Sequence, residues 1–278
     1  MATISAADIK KLREATGAGM SDCKNALVEA DGDYDKAMEQ LRVKGLKGVA
    51  KRESRSASNG LVTAHLDADG SGVLLELNCE TDFVAKGEKF QQVAQHVVER
   101  LVAMRPEDLE GALAADSGDG RTLKEFLDEA NATLGEKIEL RRFASFATAY
   151  VGSYLHKTSP DLPPQVGVLV EFSGAPGDIA RDVAQHIAAF SPVYVSRDEV
   201  PEDVVAKERE IAEATAREEG KPEAALDKIV EGRVTGFFKE ATLLEQTFAK
   251  DSKKSVKQVL DEAGVTVTRF ARYRVGQA

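Results

Sequence analysis

Gly72-Val-Leu-Leu-Glu-Leu77 recurs in this chain as Gly167-Val-Leu-Val-Glu-Phe172, and this repetition decides the fold. Further along, Val93-Ala-Gln-His-Val97 recurs as Val183-Ala-Gln-His-Ile187. The first pair has the pattern of a buried strand and the second pair that of a helix. Each copy is therefore predicted to form a strand, a loop, a second strand and a helix. Two such units in one chain usually pack as related subdomains, so the repeat predicts an α+β fold with two strand-strand-helix core subdomains.

The first strand of each copy is less strongly marked. Thr63-Ala-His-Leu66 resembles Thr148-Ala-Tyr-Val151. Asp69-Gly70 is a favoured turn dipeptide and predicts the first hairpin. The second hairpin has a longer, proline-rich loop between residues 160 and 164.

The two copies differ in length between the second strand and the helix. The repeated strand motifs are 95 residues apart in the chain, whereas the repeated helix motifs are only 90 residues apart. The first copy therefore has five extra residues, which lie within Asn78 to Gly87. Connections of unequal length on a repeated scaffold often have a function. The segment contains Asp82-Phe83, for which two interpretations remain. Either Phe83 belongs to the core and Asp82 caps a helix that begins near Val84, or Phe83 is a free aromatic anchor for a partner.

The rest of the chain is predicted to be mainly helical. At the N-terminus, three short segments have apolar residues at helical spacing, which indicates a three-helix bundle similar to a ubiquitin-associated (UBA) domain. Later in the chain, two highly charged segments with helical spacing meet at Gly220-Lys-Pro222, which indicates a helical hairpin with the character of a coiled coil. A short helix and a strand follow as a C-terminal module. The predicted units are a UBA-like bundle (1–54), core subdomain 1 (55–145), core subdomain 2 (146–200), a coiled-coil arm (201–244) and the C-terminal module (245–278).

Composition limits the classes of function. The net charge of −10 argues against a general nucleic-acid binder, although a basic stretch runs from Lys44 to Arg55. This stretch is interpreted as a helix end that continues into a linker, with direct nucleic-acid contact as the alternative. No apolar run approaches the roughly 20 residues of a membrane span, and no export signal is recognised, so a cytoplasmic protein with two free cysteines is predicted.

No motif for bond-making or bond-breaking chemistry is present. The four histidines have neither metal-ligand nor triad spacing, and His96 and His186 are predicted to share a structural role as repeat equivalents. Catalytic residues, metal ligands and cofactors are therefore predicted to be absent.

Four motifs are similar to those of the elongation factor Ts family, and they occur in the family's order. They are Leu12-Arg-Glu-Ala-Thr-Gly-Ala-Gly-Met20, Asn78-Cys-Glu-Thr-Asp-Phe-Val-Ala85, Gly152-Ser-Tyr-Leu-His156, and Glu231-Gly-Arg233 after Gly220-Lys-Pro222. This resemblance covers nearly the whole chain. It implies a guanine-nucleotide exchange factor that acts in protein biosynthesis by releasing GDP from elongation factor Tu.

The resemblance also implies roles for particular residues. Phe83 would insert between helices of the partner's GTP-binding domain, and Asp82 would disturb its Mg²⁺ and phosphate site. Leu12 and Met20 have an alternative role in the core of the bundle. The implied contact residues are Thr81, Asp82, Phe83 and Val84 in the exchange loop, and Leu12, Arg13, Met20, His156 and Gln185 elsewhere.

Two other functions are compatible with the sequence. One is a UBA-like adaptor that binds a different protein, and the other is an enzyme with its site in the cleft between the repeats. With two core repeats in one chain, a one-to-one complex with elongation factor Tu is expected.

Overall fold

The computed structural model describes residues 4–16, 18–148 and 150–277, without the side chains of residues 46, 47 and 50. The fold is α+β, as predicted. Its strands are β1 (Asn59–Leu66), β2 (Gly72–Cys79), β3 (Glu139–Phe146), β4 (Val151–His156), β5 (Val166–Phe172) and β6 (Val267–Arg274). Its helices are α1 (Ala6–Thr16), α2 (Met20–Glu29), α3 (Tyr34–Arg52), α4 (Asp82–Lys86), α5 (Glu88–Met104), α6 (Leu109–Ala114), α7 (Leu123–Leu134), α8 (Ile179–Phe190), α9 (Glu202–Glu218), α10 (Glu223–Ala241) and α11 (Val256–Ala263).

Helices α1 to α3 form the N-terminal bundle. Its core contains Leu12, Cys23, Leu27 and Leu41, each of which is buried. Helix α3 extends beyond the bundle and packs against α7, where the Arg52 guanidinium donates to the side-chain oxygen of Asn131 at 2.8 Å. The bundle is thereby joined to the first core subdomain, while its likeness to a UBA domain stays a prediction.

The two repeated strands are the central strands of two antiparallel sheets, in the orders β1-β2-β3 and β4-β5-β6. Every residue of β2 and β5 is buried. Leu75 of β2 packs under α5, whereas Leu74 packs against Leu169 of β5 in the space between the sheets. Both faces of each central strand are covered, which explains why these strands are continuous apolar runs in the sequence.

Close approach of the sheets also explains the glycine at the start of each repeated motif. A Cβ on Gly72 would lie 3.0 Å from the Leu169 side chain, and a Cβ on Gly167 would lie 2.8 Å from that of Leu74. A larger residue at either position would push the sheets apart, so these glycines are needed for the packing of one copy on the other.

Strand β3 is an addition to the strands predicted from sequence, and β6 has a partner that the sequence did not indicate. Strand β6 lies within the predicted C-terminal module, but it pairs with β5 as the third strand of the second sheet. Helix α11 buries Val256 and Leu260 in the core beneath that sheet. The C-terminal module therefore completes the second copy of the repeat.

An ion pair inside the first sheet shows how closely the copies correspond. Glu76 on β2 is fully buried, and it accepts a hydrogen bond from Arg142 on the neighbouring β3 at 2.8 Å. The Arg142 guanidinium lies over the ring of Tyr273 on β6, 4.5 Å from its centroid.

The second sheet has the same arrangement with the roles of the sheets exchanged. Glu171 on β5 is paired with Arg269 on β6 at 2.8 Å, and Arg269 lies over the ring of Phe146 on β3 at 4.3 Å. Each arginine thus neutralises a buried glutamate in its own sheet and stacks on an aromatic residue of the other. The two copies are related by an approximate twofold arrangement that includes their third strands.

The helices before β3 and β6 correspond as well. Both α7 and α11 begin with a capping box, at Thr122 and Ser255, and both end at a glycine in the left-handed region. The structure thereby extends each copy to strand, strand, helix, helix and strand, and the first copy has the short helices α4 and α6 in addition. In chain order, the pair α9–α10 comes between α8 and α11, the two helices of the second copy.

Strand pairing corrects the sequence alignment of the first strands. Leu66 pairs with Gly72, and Leu155 pairs with the equivalent Gly167. Thr63–Leu66 therefore corresponds to Gly152–Leu155 and not to Thr148–Val151, of which residue 149 lies outside the described residues. The similarity of the short Thr-Ala motifs was misleading because four residues are too few to fix a register.

Helices α9 and α10 form the predicted helical hairpin. Ala212 faces Val230 and Val234 in a thin buried seam, and the chain reverses at Gly220, which has a φ of 71°. Its classification as a coiled coil stays a prediction. Within the described residues, none of the helices combines the length and the apolar character that crossing a membrane requires.

Candidate partner-binding site

The five extra residues of the first copy lie in the connection that contains the short helix α4. We call residues 80–87, which connect β2 to α5, the α4 loop. Thr81 caps α4, because its side chain accepts a hydrogen bond from the Val84 amide at 3.3 Å. The alternative that Asp82 caps a helix starting near Val84 is wrong, since the helix already begins at Asp82.

Phe83 lies on the surface of the α4 loop. The residue is 84% exposed, the highest value among the large hydrophobic residues that the structure describes. The other face of the turn supplies the contact with the core, through buried Ala85 and partly buried Val84. Helix α5 fills the adjacent core with its own stripe, beginning at Phe90. The alternative that Phe83 belongs to the core is therefore wrong.

Asp82 lies beside Phe83 and is also exposed. Lys86, one turn later, donates a hydrogen bond to its carboxylate at 2.8 Å. This hydrogen bond lowers the pKa of Asp82, and the positive charge of Lys86 adds to the effect. An anionic carboxylate and an exposed aromatic ring are thus adjacent on one short helix.

The base of the α4 loop is held from the opposite side by Glu136, the second residue after α7. One oxygen of the Glu136 carboxylate accepts hydrogen bonds from the backbone amides of Glu80 at 3.1 Å and Thr81 at 3.0 Å. The other accepts the Thr81 hydroxyl at 2.5 Å. In return, the Glu80 carboxylate accepts the Lys137 amide at 2.7 Å. We call these four residues the loop clamp.

Cys79 supports the loop from within the core. Burial, the larger effect, and the charge of Glu136 raise the pKa of its thiol to about 12. The thiol is therefore neutral and unreactive at ordinary pH, and it lies 3.2 Å from the Thr81 carbonyl oxygen, which accepts its hydrogen bond.

The three bundle residues differ in their placement. Leu12 is fully buried in the bundle core, as its alternative role predicts, whereas Met20 is 48% exposed and does not belong to that core. Arg13 is exposed. Lys89 at the start of α5 donates to the Glu14 carbonyl at 3.4 Å, and this contact brings the end of α1 next to the α4 loop.

The two residues of the second copy lie on elements that pack together, β4 and α8. His156 is exposed at the end of β4, with its Nδ1 3.3 Å from the Tyr154 hydroxyl, and Gln185 is half-buried on α8. The loop after His156 approaches the α4 loop. There the charge of Asp161 contributes to raising the pKa of Lys86, for which the hydrogen bond with Asp82 is the main cause.

The equivalent histidines occupy structural positions. His96 donates through Nε2 to the Ser117 carbonyl at 2.9 Å, while His186 donates through Nε2 to the Gln246 side chain at 2.8 Å. His96 thereby connects α5 to the segment that precedes α7, and His186 connects α8 to the segment that precedes α11. In the described ranges, His, Cys, Asp and Glu side chains form no group of three or more that could hold a metal ion.

Comparison with known proteins identifies the family. The model of the family described as Elongation factor TS matches residues 80–277. This chain belongs to the elongation factor Ts family. Relatives named elongation factor Ts include the protein of Streptomyces griseus subsp. griseus, 63% identical over 99% of this chain and 100% of the relative. Those of Acidothermus cellulolyticus and Thermobifida fusca are 63% and 59% identical, each over 100% of both chains.

The family assignment confirms the resemblance drawn from the four motifs. The match to the family model begins at Glu80, so it contains the whole α4 loop, Glu136, the second sheet and the helical hairpin, whereas β1 and β2 of the first sheet precede it. The similarity to the relatives extends over the N-terminal bundle as well. Glu136 gives no signal in the sequence, because its partners are some 55 positions earlier in the chain.

Proposed function

We propose that this protein is a guanine-nucleotide exchange factor for elongation factor Tu, and that the α4 loop performs the exchange. Membership of the elongation factor Ts family supports the general assignment. The observation that supports the mechanism is the 84% exposure of Phe83 on a loop whose base is held by the loop clamp. An aromatic residue that the fold does not bury is suited to fill a pocket on a partner.

The thermodynamics of exchange define what the contact must do. A factor that speeds GDP release binds the nucleotide-free partner more tightly than the GDP-bound partner. By linkage, GDP must weaken the binding of the factor by the same ratio. The α4 loop therefore has to contact a part of elongation factor Tu whose position depends on bound GDP, such as the surroundings of the phosphates and Mg²⁺.

Phe83 can supply part of this difference in free energy. Full burial of a phenylalanine side chain is worth about 1.5–3 kcal/mol, which corresponds to roughly a ten- to hundredfold change in an equilibrium constant. Because Phe83 is almost fully exposed, nearly all of this gain is available to an interface. Phe83 acts as a wedge between helices of the GTP-binding domain, and the anionic Asp82 repels the phosphates and competes for interactions around the metal.

Further contacts are needed, because one side chain does not account for a large acceleration. Arg13 and Met20 are exposed on the bundle, and His156 and Gln185 lie on the second copy. These residues form the rest of the interface. Leu12 contributes indirectly, because it packs the bundle that presents Arg13.

The proposal includes no bond-making or bond-breaking step. The protein acts in the cytoplasm as a one-to-one complex with elongation factor Tu and requires no cofactor, membrane or direct contact with nucleic acid. Its only chemical action is to change the relative affinities of the partner for nucleotide and factor.

The test is the rate of release of a fluorescent GDP analogue from elongation factor Tu, measured with the parent protein and with Phe83→Ala. We expect the parent to accelerate release and the variant to lose most of the acceleration. Met104→Ala is the matched control, because Met104 is 45% exposed at the other end of α5, roughly 25 Å along the helix. This control should retain full activity.

Other outcomes distinguish the alternatives. Acceleration that survives in Phe83→Ala would retain the exchange function and reject the wedge. Binding to elongation factor Tu without any acceleration by the parent would favour an adaptor over an exchange factor. Circular dichroism of each variant establishes that the loss does not come from unfolding.

A further inference from the structure

Phe83 is exposed, so packing of its own side chain does not fix its direction. Its orientation is set by the backbone of α4, a helix of only five residues. Isolated helices of this length are unstable in water, since nucleation costs more than one or two hydrogen bonds return. A rigid presentation of Phe83 therefore needs support from outside the helix.

We propose that Glu136 is the positioning residue that fixes the α4 loop in the conformation that binds the partner. The inference rests on the proposed function, because it assigns to Glu136 a role exerted through Phe83. Glu136 acts before binding, by holding the free protein in the competent conformation, and it makes no contact with the nucleotide.

The hydrogen bonds of Glu136 determine both the position and the direction of the helix start. Its carboxylate accepts the amides of Glu80 and Thr81, which fixes the chain as it leaves β2. It also accepts the hydroxyl proton of Thr81. With that proton directed at Glu136, a lone pair of the same hydroxyl oxygen is free to accept the Val84 amide and to cap α4.

Glu136 is itself held by a rigid element. It follows Gly135, which ends α7 in the left-handed region with a φ of 76°. The loop clamp also works in the reverse direction, through Glu80 and the Lys137 amide, so two chain segments are joined by hydrogen bonds from each to the other. Arg55 reaches the Glu80 carboxylate at 3.2 Å and ties the linker after α3 to the same point.

The location of Glu136 makes the proposal testable without loss of the fold. Its side chain is only half-buried and is not part of an apolar core. Removing its carboxylate should therefore release the α4 loop and leave the sheets intact. The matched control is Glu139→Ala, which removes a carboxylate three residues later that pairs only with Lys137 and Arg141 in the described contacts.

The experiment measures GDP release from elongation factor Tu at increasing concentrations of each variant. In Glu136→Ala the competent fraction of the free protein falls, and the half-saturating concentration should rise about tenfold with little change in the maximal rate. Glu136→Gln retains a carbonyl acceptor for the two amides and should recover most of the affinity. Glu139→Ala should resemble the parent.

A double-mutant cycle separates positioning from a general loss of stability. If Glu136 acts through Phe83, adding Glu136→Ala to Phe83→Ala should produce little further change, because the side chain to be positioned is absent. Hydrogen exchange gives a readout that does not depend on the partner. The amides of Glu80, Thr81 and Val84 should exchange faster in Glu136→Ala than in the parent or in Glu139→Ala.

The outcomes are distinguishable. If the parent does not accelerate GDP release, the proposed function fails, and the inference that rests on it fails with it. If the parent is active and the effects of Glu136→Ala and Phe83→Ala are additive, the positioning role is rejected. Unchanged hydrogen exchange at the three amides in Glu136→Ala would also overturn it.

Discussion

Replacement of Arg142 by methionine should destabilise the protein more than the equivalent replacement of Arg269. The two arginines occupy corresponding places in the two copies of the repeat, and each pairs with a buried glutamate. Arg142 pairs with Glu76, which is fully buried, and Arg269 pairs with Glu171, whose side chain is 9% exposed. The difference between the two sites lies in what remains when the arginine is removed.

Without Arg142, the Glu76 carboxylate keeps one other hydrogen bond within the part of the chain that the structure describes, from the Gly276 amide at 3.0 Å. Breaking a buried ion pair in this way typically costs about 3–5 kcal/mol, because a buried charge is left without its opposite charge. Arg142 also donates to the Gln277 carbonyl at 2.9 Å and so holds the C-terminal residues against the first sheet. Loss of this contact adds to the cost.

Without Arg269, Glu171 keeps two hydroxyl donors, Thr268 at 2.5 Å and Thr148 at 3.1 Å. The Arg269 side chain is itself 52% exposed, so the pair is partly screened by solvent. We expect a cost of about 1–2 kcal/mol for Arg269→Met. The two substitutions should therefore differ by about 1–4 kcal/mol.

The assay is urea denaturation followed by far-ultraviolet circular dichroism, since the chain contains no tryptophan to report by fluorescence. A third variant, Arg142→Met with Glu76→Gln, removes the unpaired charge and should recover part of the stability lost in Arg142→Met. Equal costs for the two arginines, or a larger cost for Arg269→Met, would refute the reasoning from burial and remaining partners.

Two further predictions concern single residues. Burial, partly opposed by the hydrogen bond with Gln246, lowers the pKa of His186 below its ordinary value of 6.5, so the unfolded state binds the proton more tightly. The contribution of neutral His186 to the free energy of unfolding is complete above pH 6.5 and should decline as the pH falls through that value. Urea denaturation at several pH values measures this decline, and the free energy of unfolding should change less with pH in His186→Gln. Gly60 has a φ of 142°, and a Cβ there would overlap the Leu77 carbonyl oxygen, so Gly60→Ala should cost at least about 2 kcal/mol. Gly120→Ala, with a φ of 81° in open space, should cost only about 1 kcal/mol, and equal unfolding midpoints of the two variants would contradict the argument.

Local patterns in the sequence were sufficient for much of the fold. The repeated apolar runs predicted β2 and β5, and the break at Gly220 predicted the turn between α9 and α10, because periodicity and turn chemistry act between near neighbours. The position of Phe83 outside the stripe of α5 allowed an exposed anchor as one of two interpretations. The structure decides between them by showing Phe83 on the surface.

Contacts between distant segments could not be predicted in this way. The pairing of β6 with β5 depends on the register of two strands about 100 residues apart, and no local pattern specifies that choice. Leu12 lies in the core of the bundle and Met20 lies on its surface. This difference depends on how the three helices cross, and the spacing of apolar residues in each helix does not specify that crossing. Glu136 is an ordinary charged residue in the sequence until the fold brings it to Thr81.

The sequence by itself determined the elements, the repeat, the five-residue difference between the copies and, through its motifs, the family. Only the tertiary structure decided that the third strands complete both sheets, that buried glutamates pair in equivalent ways, and that the α4 loop is held at its base. The physical reason is the range of the interactions. Helical and strand periods arise from residues a few positions apart, whereas sheet pairing, buried ion pairs and the loop clamp join residues that become neighbours only when the chain has folded.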